Sequence, residues 1–368
     1  MNDLSKPDGV AAGAIGEPLR RKEDLRLLTG AGRFTDDFSM PGQAYAAMVR
    51  SPHPHARILR IDAARSRAVA GVLGVYSGAD CIDDGLRPIP HQPLPSTRDD
   101  MKLTGPGGGR IFEGPHLLLP THKTLHVGEA VAMVVAETRE QAADAAEAVE
   151  VEYGELPWVA HSEDALEAGK NGGVPAVWDE APDNVLVDTT FGDREATDRA
   201  FAAADHVVRM KFHIGRCTAV AIEPRAALGT YDASAGRYTL YAGSGGAVRC
   251  KRDLAAVLGI DPGKLRVVTC DVGGNFGSKN RVYVEYGLVL WASRKLARPV
   301  KFTASRSEAF VSDYQGRDLV TEVELALRSD GKFLAMRASN LSNVGARCLS
   351  LSPLSKGSGL IKIGRAHV

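Results

Sequence analysis

The sequence predicts a mixed α/β and α+β protein of two or three domains. Three observations carry that prediction. The first is the length of 368 residues, well beyond one domain of roughly 150 residues. The second is a compact strand–helix–strand unit in the first half, "VGEAVAMVVAETREQAADAAEAVEVEYGELP", residues 127–157. The third is a run of alternating strand and helix patterns from Asp205 onward, which points to layered α/β packing.

Taken in order, the first twenty residues read as a flexible lead. Residues 33–58, "RFTDDFSMPGQAYAAMVRSPHPHARI", give short alternating strands broken by Pro and Gly. Ala130 to Val135 reads as a buried strand. Thr138 with Gln141 forms a capping box, and Ala142, Ala145, Ala146 and Val149 share one helical face. "VEVEY" follows as a strand. These elements make a first domain over 21–165. From Gly169 to Asp193 the composition turns rich in Gly, Pro and Asp, which predicts a linker within 166–200.

A second domain is expected over 201–360. "RYTLYAG" reads as a strand, "AVRCKRDLAAVLG" as a helix closed by Gly259, and "KLRVVTC" as the next strand. A glycine-rich loop and the helix "VEYGLVLWASRKL" come next, then strand "PVKFTA" and a hairpin turning at Asp330–Gly331. The closing "GLIKIGRAHV" has no periodicity, and its last six residues correspond codon by codon to the sequencing-adapter string ATCGGAAGAGCACACGTC. Residues 361–368 are therefore expected to be a non-native tail on a C-terminally truncated chain.

Composition narrows the function classes. Basic and acidic residues balance at 45 each, so nothing argues for nucleic acid or an anionic membrane as partner. No apolar segment is long enough to span a bilayer, and the start lacks the apolar core of a secretory signal. The five cysteines, Cys81, Cys217, Cys250, Cys270 and Cys348, are scattered without a CxxC pair. That spacing offers no zinc or iron–sulfur site and points to a reducing, cytoplasmic setting. His53 and His55 stand two apart in "SPHPHAR", where a solvated turn before a strand is the simpler reading than a metal site. His213 reads as a strand residue.

The chemically informative stretch is "DVGGNFGSKN", Asp271–Asn280. A Walker loop requires Gly-Lys-Ser/Thr after a glycine and four residues. Here the lysine follows Ser278 and precedes Asn280. "GGNFGS" also lacks the G-x-G-x-x-G spacing of a dinucleotide fingerprint. The glycines could form a plain tight turn. Phe276, a bulky ring inside the loop, instead suits exposed amides that receive a flat or oxygen-rich ligand.

Five motifs in register resemble the molybdenum hydroxylases, the xanthine dehydrogenase and aldehyde oxidase family, and within it large subunits of the aerobic carbon monoxide dehydrogenase type. They are "IGEPLRRKEDLRLLTGAGRFTDDFSMPGQAYAAMVRSPHPHARI", the 127–157 unit, "IEPRAALGTYD", the glycine loop, and "ARPVKFTASRSEAFVSDYQGRD". Together they cover about Ile15 to Ala346. The resemblance implies an α/β hammerhead domain followed by the first, incomplete, molybdopterin-binding α+β domain. It implies that Gly273, Gly274, Phe276 and Gly277 contact the molybdopterin and its molybdenum. It also implies a substrate pocket lined by Asn280, Arg317, Glu223 and Arg225.

The departures from the family pattern matter too. Many relatives carry a glutamine after the "LY" strand, whereas this chain has Gly245 or Gly246 there, whose backbone amide is the available substitute. Purine-oxidising members carry a glutamate just after the loop lysine. Asn280 stands there instead, which argues against a purine. Arg347 occupies a position where an aromatic is common. The family's general base is a glutamate near the far C-terminal end, so no catalytic base and no metal ligand is assigned in this chain.

The implied cofactor is molybdopterin with molybdenum, in its cytosine dinucleotide form. The implied partners are an iron–sulfur small subunit with 2Fe-2S clusters and an FAD-binding medium subunit, in a dimer of heterotrimers. The implied reaction hydroxylates a small aldehyde, heteroaromatic or carbon monoxide-like substrate with water as oxygen source. A non-catalytic binding or scaffold module of the same fold is one rival, and an α/β nucleotide-binding protein is another.

Overall fold

The computed structural model describes residues 18–92, 102–171 and 176–351. Most of the expected lead and the expected tail at 361–368 lie outside the described residues. In the first half, α1 (Asp24–Leu28) precedes β1 (Ala44–Arg50), β2 (Ala56–Asp62), α2 (Ala64–Arg67), β3 (Val72–Ser77) and α3 (Gly78–Asp83). β4 (Lys123–Thr124), β5 (Ala130–Ala136), α4 (Arg139–Glu147) and β6 (Glu150–Glu155) complete it. The predicted capping box is present: Gln141 N–H donates to Thr138 Oγ1 at 3.2 Å and Thr138 N–H to Gln141 Oε1 at 3.1 Å.

The second half begins with α5 (Ser162–Asn171) and α6 (Arg194–Ala202), followed by β7 (His206–Cys217), β8 (Ala226–Asp232) and β9 (Arg237–Ala242). Then come α7 (Ala247–Leu258), β10 (Leu265–Val268), α8 (Val284–Lys295), β11 (Val300–Thr303), α9 (Arg306–Ser312), β12 (Gly316–Leu327) and β13 (Phe333–Ser342). The stretch 166–200, expected to be linker, thus holds the end of α5 and most of α6. Gly and Pro around these short helices masked their signal, and Asp193 caps α6 by accepting from Ala196 N–H at 2.9 Å. His55 also departs from the solvated turn expected for it: it is buried, with Nδ1 3.0 Å from the Pro157 carbonyl.

The two sequence units share one sheet. Its seven strands run β10-β9-β8-β11-β1-β5-β3. The join is a parallel pairing of β1 with β11, Ala44 opposite Val300 and Ala46 opposite Phe302. β5 lies inside, antiparallel to both β1 and β3, and all seven of its residues are buried. Its side chains alternate between two cores, as a strand covered on both faces must. Met133 and Val135 join the main core with Leu288, Val289 and Trp291, while Val134 packs with Val75, Ala145 and Val149 under α4. Two three-stranded sheets, β13-β12-β7 and β4-β2-β6, flank this layer.

α8 is the central helix, with Glu285 through Ser293 all buried. A helix apolar almost all round belongs in an interior. It lies so close to β8 that a Cβ on Gly229 would stand 2.7 Å from the Val289 carbonyl carbon. At the N-terminal end of α8 the two halves are joined by charge. Glu285 Oε1 accepts from Arg50 of β1 at 2.6 Å and from Arg225, just before β8, at 3.0 Å. Arg50 also reaches Glu308 of α9 at 2.6 Å, and Arg225 pairs with Asp313 and covers the Tyr283 ring at 4.1 Å.

Burial alone would raise the Glu285 pKa. The Arg225 and Arg50 guanidiniums overcome it and hold the carboxyl at about 2, against an ordinary 4.5. A folded pKa below the unfolded one stabilises above the unfolded value, and that stability is lost as pH falls through the folded value. The Glu285 contribution is therefore complete above pH 4.5 and disappears between there and about pH 2. Glu285→Gln removes the shared carboxylate, leaving Arg50 with Glu308 and Arg225 with Asp313, and is expected to cost about 1–3 kcal/mol. Denaturant unfolding at pH 7 reads this loss, and the wild-type-to-variant gap should shrink as the pH is taken below 4.

Candidate functional site

The loop Asp271–Asn280 leaves the end of β10 and turns back toward α8, and one asparagine organises its tip. Asn275 Oδ1 accepts from Gly277 N–H at 2.9 Å and from Lys279 N–H at 3.0 Å, and its carbonyl accepts from Ser278 N–H at 2.9 Å. A short polar side chain bonding to the backbone a few residues on is how Asn stabilises a tight turn. Gly274 (φ 114°) and Gly277 (φ 89°) take left-handed conformations that suit glycine. Phe276 adopts φ 45° between them, a strained value for a bulky residue. Its ring is 63 % exposed, on an open face rather than packed in the core.

Beneath the loop sits a buried ion pair. Lys279, 2 % exposed, donates through Nζ to the Glu223 carboxylate at 2.7 Å and to the Glu223 carbonyl at 2.9 Å. Burial pushes the Lys279 pKa below its usual value, against the opposing pull of Glu223. The same carboxylate accepts from Gly273 N–H at 2.8 Å, and Glu223 N–H donates to the Gly273 carbonyl at 3.0 Å. A Cβ on Gly273 would stand 2.5 Å from Glu223 Cβ. The glycine is therefore required by the close approach of the two backbones.

The two candidate glycines after β9 part company. Gly245 N–H donates to the Lys279 carbonyl at 2.9 Å, and a Cβ there would overlap Asn280 Oδ1. Gly246 lies at the start of α7 with open space where its Cβ would be. Asn280 itself accepts from Asn275 Nδ2 at 2.9 Å, which makes it a brace across the loop. Glu223, Gly245, Gly273, Asn275, Lys279 and Asn280 thus form one contacting group, from which Gly274, Phe276 and Gly277 project.

Arg225 and Arg317 stand elsewhere. Arg225, 1 % exposed, points into the charge network under α8. Arg317 opens β12 opposite Arg216 of β7, in a left-handed conformation (φ 74°) shared with Asp318 (φ 65°). Arg347 is packed: it pairs with Glu129 and donates to the Pro115 carbonyl at 2.6 Å. A cavity of 1210 Å³ between the two halves includes Glu129, Trp178, Tyr283 and Arg347 in its wall, but none of the loop residues 271–280. Among the described residues, no three His, Cys, Asp or Glu side chains converge as a metal site.

Sequence reasoning missed Asn275, Lys279 and Asp271 as loop organisers. The Asx-turn signal of an Asn among glycines was available for the first. The other two depend on contacts far along the chain. Asp271 accepts from both arms of the Arg26 guanidinium, one of them at 2.7 Å, and from Arg33 N–H at 2.7 Å.

Residues 177–366 match the family model described as "Molybdopterin cofactor-binding domain", just over half of the chain. The chain belongs to the molybdenum hydroxylase family. Residues 29–157 match that family's "Aldehyde oxidase and xanthine dehydrogenase, a/b hammerhead domain". The subunit gamma of the 6-hydroxypseudooxynicotine dehydrogenase complex of Paenarthrobacter nicotinovorans is 33% identical over 361 residues, 95% of this chain and 43% of that protein. The carbon monoxide dehydrogenase large chain of Afipia carboxidovorans is 31% identical over 95% of this chain and 42% of its own length.

Among solved structures, quinoline 2-oxidoreductase from Pseudomonas putida 86 superposes with a TM-score of 0.74 at 34% identity, over 88% of this chain and 38% of that one. The chain therefore spans about two fifths of the length of these relatives. The expected hammerhead and molybdopterin-binding α+β architecture is the one present. Among the described residues, no helix is long and apolar enough to cross a membrane.

The loop fits a molybdopterin group chemically. The missing Cβ positions of Gly273 and Gly274 face Glu223 and Ala221 of the chain itself, so it is the exposed Phe276 side chain that offers a flat apolar face to such a group. Gly245→Ala is expected to push Asn280 off Asn275 and loosen the loop at a cost of about 1–3 kcal/mol, the usual range for overpacking. Gly246→Ala should leave the loop as it is. Hydrogen exchange of Gly277–Lys279 in the two variants checks the contrast.

Proposed function

We propose that this chain supplies the molybdopterin-facing wall of the catalytic subunit of a molybdenum hydroxylase. The carrying observation is the glycine loop, whose strained, exposed Phe276 and close-approach glycines stand over the Lys279–Glu223 pair. Gly273, Gly274, Phe276 and Gly277 would border the cofactor, and the Gly245–Gly246 backbone would stand where relatives place a side-chain donor without replacing it, since the Gly245 N–H is spent on the Lys279 carbonyl and the Gly246 N–H on Ser244 Oγ. Molybdenum with its pterin ligand, here in the cytosine dinucleotide form, would supply the redox chemistry of hydroxylation with water. The chain's own residues keep the loop rigid and exclude side-chain bulk from the cofactor's path.

The substrate class is a small aldehyde, a heteroaromatic or a carbon monoxide-like molecule. Relatives named for carbon monoxide and for pyridine-type compounds support that range. Asn280 accepts from Asn275 through Oδ1 and is exposed, which supports its assignment as a neutral pocket residue in place of a purine-binding glutamate. Arg317 remains a pocket-edge assignment, whereas the Glu223 carboxylate is engaged by Lys279, Gly273 and Thr35 and is assigned to the base of the loop. Arg225 is assigned to holding the wall, since its charge is spent on Glu285 and Asp313.

Hydroxylation with water releases a pair of electrons. Relatives named as a subunit gamma and a large chain support assigning those electrons to partner subunits, proposed to carry 2Fe-2S clusters and FAD in a cytoplasmic dimer of heterotrimers. No general base is assigned within this chain.

The test is metal and pterin analysis of the protein purified with its partner subunits, together with dye reduction by candidate substrates. Stoichiometric molybdenum and pterin with dye-reducing activity are the expected outcome. A metal-free and inactive complex would leave only the scaffold reading. Phe276→Ala should reduce retained molybdenum and pterin by about tenfold, the scale of one lost aromatic contact, with far-ultraviolet circular dichroism unchanged.

A further inference from the structure

The segment from α1 into the approach to β1 is tied down at both ends, and one of those ends is at the root of the glycine loop. At its C-terminal end, buried Lys301 of β11 donates to the carbonyls of Asp36 at 2.7 Å and Phe38 at 3.0 Å. Thr303 Oγ1 reaches Asp36 at 2.7 Å, and Phe38 stacks on Tyr241 with ring centroids 5.2 Å apart. At its N-terminal end every described bond to the loop passes through a carboxylate or its backbone. Arg26 forks onto Asp271, Arg33 N–H donates to Asp271 Oδ2, and Asp271 N–H returns a bond to the Arg33 carbonyl at 3.2 Å. Thr35 N–H donates to Glu223 Oε1 at 3.2 Å, on the carboxylate whose other oxygen holds Gly273 and Lys279.

Residues 26–38 are therefore a strap across the base of the loop. Its only fork-shaped charge contact with the loop, among the described residues, is Arg26 on Asp271. A guanidinium that meets both carboxylate oxygens sets orientation as well as distance. Releasing Arg26 would let the strap lift at its N-terminal end while Lys301 still holds the other.

We infer that Arg26 and Asp271 are positioning residues: their fork latches an N-terminal strap onto the glycine loop and thereby governs how long the loop holds its cofactor. The retention half of this inference rests on the loop being the molybdopterin site. The latch itself does not.

The Arg26–Asp271 pair persists across the neutral range. The Arg26 side chain, then the Arg33 amide, lowers the Asp271 pKa to about 2. Salt, not neutral pH, is thus the condition that should weaken a pair this open to solvent.

The experiment compares wild type, Arg26→Ala, Arg26→Lys and Arg21→Ala by hydrogen exchange. Each protein is made in a host that supplies the pterin cofactor and in one that cannot. Arg21→Ala is the control, because it removes a surface pair with Asp24 on the same turn without touching Asp271. In the cofactor-free proteins, Arg26→Ala should speed exchange of the Gly273–Lys279 amides about five- to tenfold, as local opening without global unfolding. Arg26→Lys, which keeps the charge and loses the fork, should fall between, and the β5 amides should not change.

In the loaded proteins, Arg26→Ala should lose pterin several-fold faster on dilution, and the gap to wild type should narrow in high salt, which loosens the wild-type pair. Unchanged loop exchange in Arg26→Ala, or equal acceleration in Arg21→Ala, overturns the latch. If Arg26→Ala exposes β5 as well, Arg26→Lys decides by the same comparison. A wild-type protein with no molybdenum or pterin would sink the functional reading instead, and the cofactor-free exchange would still decide the latch.

Discussion

Glu285 is a carboxylate with almost no solvent, held between Arg50 from one half of the chain and Arg225 from the other. Everything near the glycine loop depends on that arrangement. Arg225 precedes β8 and follows Glu223 by two residues, so the network under α8 sets where the Glu223 carboxylate lies. Glu223 in turn sets Gly273 and Lys279. A buried ion network of this kind is a poor source of net stability, because desolvation offsets much of the attraction. Its value here is geometric: it leaves few alternative ways to dock β1, β8, α8 and α9 on one another.

The loop is built on the opposite principle, with little side-chain mass and much backbone constraint. Asn275 closes the turn, Asn280 braces it, and the glycines let the backbone pack closely on Glu223 and Ala221. Phe276 is the exception, a large ring held outward at a strained angle. Strain of this kind persists only where the surroundings over-determine it, and it gathers at functional sites.

Much of this was legible in the sequence, and what was not has a physical reason. Ala130–Val135, the Thr138 box, Gly259 at the end of α7 and the Asp330–Gly331 turn depend on neighbours a few residues away, and each appears where expected. The glycine loop was recognisable because its residue types are unusual together. Asp271 was not, since its partners Arg26 and Arg33 are more than two hundred residues away in sequence. The helices within 166–200 were hidden by Gly, Pro and Asp around them. The choice between Gly245 and Gly246 needed the third dimension, because only one of them meets Asn280.

The parallel pairing of β1 with β11 has a consequence for anyone who treats the two family domains as interchangeable modules. A cut near residue 165 separates two annotated units on paper, yet it runs through the middle of a hydrogen-bonded sheet in space. Chimeras between relatives would have to carry matched β1 and β11 sequences, with Arg50, Arg225 and Glu285 inherited as a set. Exchanging one unit without the other would leave half of a sheet, and half of a charge network, facing a partner it was not shaped for.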